Sequence, residues 1–184
     1  MFAKLKHKFD RPLYRVTERI RTFTGKDWDG EEKGTFYDII WSPDRDNYFS
    51  VIPRKYWDDF HLTLITVNHE LPPHVDSNIV STINFYFETQ DCVTTFYRAK
   101  IPDPDGYWMT NQTDGHCYYE TDLEPIGSFV AEPGDAYLLD IKQIHGVKSP
   151  TPLGPDRLRK AVTIGSLKHD YDTVFKMLQD TNSI

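Results

Sequence analysis

The chain has 184 residues, 27% of them charged, a net charge of −7 and two cysteines. This length fits a single domain, residues 1–184, with a substantial core, and the acidic balance disfavours nonspecific binding to nucleic acid unless a local basic patch offsets it. Cys92 and Cys117 form no CxxC pair, which argues against a zinc ribbon or a disulfide framework. In chain order, residues 1–30 read as a basic amphipathic lead, with Arg15-Val-Thr-Glu-Arg-Ile-Arg21 as a short helix. Phe36–Trp41 and Tyr48–Ile52 read as strands or loop pieces, and Lys55–Phe60 as a helical turn before a clear strand, His61–Val67. Ile79–Phe87 is β-branched and aromatic, as a buried strand should be. The stretch from Ile101 to Leu123, rich in Asp, Gly, Tyr and Asn, is too long for an ordinary connector and reads as a mobile lid or a surface hairpin. Glu132-Pro-Gly-Asp135 is turn chemistry before a short buried strand, Ala136–Ile141. Further on come an extended piece from His145, a Pro/Gly loop over Ser149–Asp156, a last strand over Arg157–Gly165, and a C-terminal helix over Asp170–Gln179 with an acidic start. Most of the chain is strand and turn, so the expected fold is mainly β, two sheets packed as a jelly roll.

His74-Val75-Asp76 carries the chemistry. Residues two apart on a strand point the same way, so this His and Asp can close on one metal ion from one wall. With 7 His and 20 Asp in the chain, a His-x-Asp arises by chance about three-quarters of a time, so the pair is weak alone. Its place at the entrance of the strand Ile79–Phe87 strengthens it, and His145 supplies a second imidazole far downstream, after a Gly-Asp turn. Two imidazoles and one carboxylate on one face of an ion leave positions open opposite, the ligand set of non-heme Fe(II) oxygenases. Beyond lies Arg159, whose planar cationic fork suits a carboxylate. Arg159, Ala161 and Thr163 share one strand face, with small residues where a ligand needs room. Arg157 has the same parity, so parity alone does not choose between the two arginines.

The stretch Pro133-Gly-Asp-Ala-Tyr-Leu-Leu-Asp140, then His145-Gly-Val147, then Arg159-Lys-Ala-Val-Thr-Ile164 resembles the C-terminal half of the Fe(II)/2-oxoglutarate-dependent oxygenases, in particular their small prolyl-hydroxylase-like members. Ile83-Asn-Phe-Tyr86 with Thr95-Phe-Tyr97 resembles their middle, so the likeness covers roughly residues 60–168. The gap from His145 to the basic residue is longer than is common in that family, which keeps both Arg157 and Arg159 open. The resemblance implies a double-stranded β-helix, a cupin-like jelly roll, with supporting N-terminal and C-terminal helices. It implies Fe(II) on His74, Asp76 and His145, 2-oxoglutarate as co-substrate held by Arg159 with Thr163 and Asn84, and O2 as oxidant. The implied activity is a dioxygenase that hydroxylates a peptidyl residue, with a slight tilt to proline, or a small molecule.

Two other readings stand beside this one: a jelly-roll protein that binds metal without catalysis, and a structural β-sandwich in which the triad is accidental. Tyr107 and Trp108, aromatics in the 101–123 segment, are the candidate substrate contacts, since aromatics on a lid can clamp a substrate. His61 and His69 flank a strand and read as surface or packing residues, and nothing selects His7, His116 or His169. No apolar run reaches the length of a membrane span and the Lys-rich start lacks a signal peptide's apolar stretch, so the expected location is cytoplasmic. The sequon-like Asn111-Gln-Thr113 then carries no weight.

Overall fold

β-Branched and aromatic residues recur through most of the chain, and the backbone answers with antiparallel sheet. The computed structural model describes residues 1–26, 32–77, 79–108, 115–154 and 156–184, without the side chains of residues 20–26, 32–35, 108 and 115. In chain order the elements are β1 (Phe2–Lys4), β2 (Arg15–Lys26), β3 (Glu32–Trp41), α1 (Arg45–Phe49), a 3₁₀ turn (Arg54–Asp59), β4 (Phe60–Val67), β5 (Leu71–Asp76), β6 (Ser81–Glu88) and β7 (Val93–Ala99). There follow β8 (Gly106–Trp108), β9 (Gly115–Tyr118), a 3₁₀ turn (Glu120–Asp122), β10 (Leu123–Val130), β11 (Ala136–Leu139), β12 (His145–Lys148), β13 (Arg159–Ser166) and α2 (Tyr171–Asp180). A seven-stranded sheet runs β1-β11-β6-β13-β4-β3-β2, and a six-stranded sheet runs β10-β7-β12-β5-β9-β8.

The strands β11, β6 and β13 of the seven-stranded sheet are covered on both faces. Ile83, Phe85, Leu138, Val162 and Ile164 turn one way, into a core with Tyr48 and Phe49 of α1 and with Val174, Met177 and Leu178 of α2. The alternate residues Tyr86, Tyr137, Leu139 and Ala161 turn the other way and meet Phe96 and Phe129 of the six-stranded sheet. Phe129 and Tyr137 stack with centroids 3.9 Å apart and so tie one sheet to the other. Burial on both faces explains why β6 reads as a continuous buried run and not as an alternation. The helix α2 starts where Asp170 accepts a hydrogen bond from the Thr173 N–H at 2.9 Å, which satisfies one of the helix's free donors.

Several expectations change. Arg15–Arg21 is not a helix but the first half of β2. Tyr48 and Phe49 end α1, with Ile52 in the turn beyond, so that run is not extended. The supporting helices are therefore α1, between β3 and β4, and α2 at the C-terminal end, rather than one in the lead. His74 and Asp76 do not open the strand over residues 79–87; they close β5, which belongs to the other sheet. Residues 101–123 are more than a loop, since β8 and β9 form a hairpin whose inner strand pairs with β5. The strands over 61–67, 79–87, 136–141 and 157–165, the turn at 55–60 and the C-terminal helix lie where the sequence puts them, with shifts of a few residues at their ends. No helix among the described residues is long and apolar enough to cross a membrane.

Leu138 is fully buried where the sheet meets the helices. Leu138→Ala should cost about 2–5 kcal/mol in urea unfolding, through lost transfer energy and the cavity left behind. A loss below about 1 kcal/mol, the scale of a surface change, would show that the helices do not press on this face as described.

Candidate metal centre

Two neighbouring antiparallel strands build the site. In the pairing of β12 with β5, His145 stands directly opposite His74, and on its other side His145 stands opposite Phe96 of β7. Directly opposed residues of an antiparallel pair share a face, so register alone brings the two imidazoles together. Their ring centres lie 4.4 Å apart, and Phe96 stacks on the His145 ring at 5.7 Å. Between His74 and Leu71 the register slips, because β5 carries an extra residue there in its Pro72-Pro73 pair. The prolines pass over Gly146, where a Cβ would sit 3.0 Å from the Leu71 carbonyl and 3.2 Å from the Pro73 nitrogen. A side chain here would have to push the neighbouring backbone back by a few tenths of an ångström, so glycine lets the bulge close in and thereby aim His74.

Each histidine is fixed through its Nδ1. That of His74 donates to the Pro72 carbonyl at 2.8 Å, and that of His145 to the Gln143 carbonyl at 3.0 Å. In the neutral ring a proton held on Nδ1 leaves the Nε2 lone pair free, the arrangement a metal-ligating imidazole needs. The His74 Nε2 lies 3.4 Å from Asp76 Oδ1, and the ligand atoms of His74, Asp76 and His145 all fall within 4.8 Å of one another. The donor set and the free Nε2 atoms fit a divalent transition metal.

The charges of the three groups differ. Burial pushes His145 down to about 4, with the charge of His74 acting the same way, so it stands neutral. Burial alone would lower His74 too, but the hydrogen bond and charge of Asp76 outweigh it and hold His74 above its ordinary 6.5. Burial would raise Asp76, yet the His74 hydrogen bond leads the effects that keep it below its ordinary 3.8, and it stays ionised.

The triad opens into a cavity between the sheets of about 60 Å³. Asn84 lines it, as does Arg159, and so do Thr82, Tyr86, Thr94 and the apolar Val67, Leu71, Val147 and Ala161. Arg159 is 6% exposed. It donates to the Thr94 hydroxyl at 2.7 Å and lies 4.8 Å from the centre of the Tyr86 ring, and among the described residues no acidic side chain pairs with it. A buried guanidinium without a carboxylate is costly, and here its open side is the cavity. Arg157 instead bonds the side chain and carbonyl of Gln90, both at 3.2 Å, and lies outside the cavity lining.

The remaining sequence candidates divide. Thr163 stands one layer back, hydrogen-bonded to Thr82, which passes a bond at 3.0 Å to Asn84. Tyr107 lies outside the cavity lining, with its ring 5.5 Å from that of Tyr119. Trp108 is in β8, but its side chain is outside the described residues. His61 is exposed, as expected, His7 is exposed too, and His169 pairs with Asp59 at 2.8 Å. Sequence reasoning missed Tyr86 and Thr94. Tyr86 lies two residues from Asn84 on the same strand, so alternation would have found it, whereas Thr94 is reached only through the pairing of β7 with β12.

His74, Asp76 and His145 thus form a metal-binding cluster of the facial-triad kind in a mainly-β scaffold, the arrangement of a metal-dependent oxidoreductase. No protein-family model matches the chain, and no curated protein matches it.

Two outcomes follow from this geometry. Gly146→Ala, which alters no ligand, should weaken metal binding, because the new methyl group forces the Pro72-Pro73 bulge and His74 away; unchanged affinity in a metal titration would show that the bulge does not set the ligand. Metal must also displace the proton that Asp76 holds on His74. Near pH 6.5 binding should therefore release protons, and affinity should climb as the pH rises above that value. Calorimetry at pH 6.5 in buffers of different ionisation enthalpy reads this directly, and heats independent of buffer would refute it.

Proposed function

We propose that this protein is an Fe(II)- and 2-oxoglutarate-dependent dioxygenase, a single domain whose two sheets are the halves of a double-stranded β-helix. The observation that carries the reading is the pairing of a two-histidine, one-carboxylate cluster with a buried arginine that has no acidic partner among the described residues, both lining one cavity. A protein that only stored metal would have no use for that arginine.

In this reading His74 and His145 bind Fe(II) through Nε2 and Asp76 through its carboxylate, which leaves coordination positions for small ligands. Fe(II) held there would supply the redox chemistry that couples oxidative decarboxylation of 2-oxoglutarate by O2, to succinate and CO2, with hydroxylation of a substrate C–H bond. Arg159 takes the far carboxylate of 2-oxoglutarate, and Thr94 holds the guanidinium in place for it. The Tyr86 hydroxyl accepts a hydrogen bond from the Asn84 amide at 3.2 Å, which leaves its own proton for the same carboxylate. Asn84 is held in turn by Thr82 and Thr163, so Thr163 acts on the co-substrate through that chain of hydrogen bonds. Val67, Leu71, Val147 and Ala161 give the cavity an apolar lining that limits the water around a bound co-substrate. The substrate is a peptidyl residue, with proline the first to test, or a small metabolite, and Tyr107 and Trp108 in the β8–β9 hairpin are its proposed contacts. The cytoplasm is the proposed location.

The test is 2-oxoglutarate consumption with Fe(II), against panels of peptides and amino acids, with mass spectrometry for a product heavier by one oxygen atom. His145→Ala should lose metal binding and turnover. Arg159→Ala should keep the metal but weaken 2-oxoglutarate binding by about 1.5–3 kcal/mol, the worth of a charge-assisted pair, while Arg157→Ala does much less. A His145→Ala protein that binds Fe(II) like wild type would remove the assignment of the centre. Equal effects of the two arginine variants would remove that of the co-substrate.

A further inference from the structure

Asp76 is the last residue of β5, and a ligand at a strand end needs something beyond the strand to fix it. Its N–H donates to the Ile141 carbonyl at 3.0 Å. The Lys142 ammonium, from the same turn, donates to the Asp76 carbonyl at 2.7 Å and to the Ser77 carbonyl at 3.1 Å. Lys142 is itself placed by Asp140, whose carboxylate accepts from the Lys142 N–H at 3.2 Å. One residue further on, the Gln143 carbonyl accepts the Nδ1 proton of His145. The turn over residues 140–143 thus grips Asp76 from behind and His145 from below, although it supplies no ligand atom.

Lys142 is exposed, and its ammonium lies outside the cavity lining. Its burial therefore explains nothing; its charge helps to keep Asp76 ionised, but beside a carboxylate that His74 already keeps ionised the net effect of the cation on a divalent metal is repulsion. What remains is geometry. We propose that Lys142 is a positioning residue of the metal centre: it locks the peptide groups before and after Ser77, the two that follow the Asp76 side chain, and so holds the Asp76 carboxylate toward the two histidines. This rests on the metal-binding reading above and extends it to a residue that touches neither metal nor substrate.

The two effects of Lys142 have opposite signs, which makes the proposal decidable. Lys142→Met keeps the apolar stem and deletes both the donors and the charge. If the role is positional, Co(II) alone, titrated into the full-length protein against a competing chelator, should bind roughly 10- to 100-fold more weakly, the usual cost of losing a group that orients a ligand. The visible absorption of the bound Co(II) should change with it, as the carboxylate leaves its place. Lys142→Arg, which restores donors to both carbonyls, should return affinity and spectrum close to wild type, and Lys142→Gln, with neutral donors only, should fall between. Far-ultraviolet circular dichroism of each variant checks the fold independently. Lys142→Met protein that binds Co(II) as tightly as wild type, or more tightly as charge removal alone dictates, overturns the proposal, and so does failure of Lys142→Arg to restore binding. Wild-type protein that takes up no Co(II) overturns the metal-binding reading and the proposal together, whereas a wild type that binds beside an unaffected Lys142→Met overturns the proposal alone.

Discussion

The register between β5 and β12 is the constraint on which the rest of this molecule depends. Because His74 faces His145 across that pair, the two imidazoles meet without any loop having to deliver them. A slip of one residue would turn one of them to the other face of the sheet. The slip is resisted from several sides: Gly146 leaves room for the Pro72-Pro73 bulge, β7 holds the far side of β12, and β9 holds the far side of β5. The hairpin β8–β9 therefore belongs to the frame of the centre. Cys117 stands opposite His74 in that frame and is fully buried, which a detachable surface loop would not require.

The two walls of the cavity divide the work. The six-stranded sheet carries the ligand atoms. The seven-stranded sheet, anchored from behind by α1 and α2, carries Arg159 and the polar row of Thr82, Asn84 and Tyr86. Alternation along β6 and β13 makes this possible, because each strand sends apolar residues to the helices and polar or small ones to the cavity. The rigidity of the helix-backed core is thus passed to Arg159 and this polar row, the arrangement that precise placement calls for.

Much of the centre was legible because its chemistry sits on short-range rules. His74 and Asp76 are two apart, a Gly-Asp turn announces the strand before His145, and Ala161 and Thr163 continue the face of Arg159. What was lost was lost to local irregularity. In β2, register shifts at Val16/Glu18 and at Arg19/Arg21 break the alternation and leave Val16 and Ile20 at a helical spacing, so the segment imitates a helix. Arg157 and Arg159 share parity on paper, but β13 begins at Arg159 and the alternation rule does not reach back past a strand's first residue. Tyr48–Ile52 is a short apolar run of the kind that periodicity cannot assign. Thr94 and Lys142 enter only through contacts between distant segments, to which no spacing along the chain gives access.

Arg159 also bears on how ligands for this protein can be found. A buried cation with no acidic partner among the described residues raises the free energy of the empty folded state, and an anion that enters the cavity relieves it. Such an anion binds the folded chain alone, so it shifts the unfolding equilibrium by mass action, by about 2.7 kcal/mol at a hundredfold excess over its dissociation constant. Melting temperature thereby becomes a reporter of cavity occupancy. Dicarboxylates of graded length can be ranked by it without any turnover, and the chain length that raises it most measures the span from the metal to the guanidinium in solution.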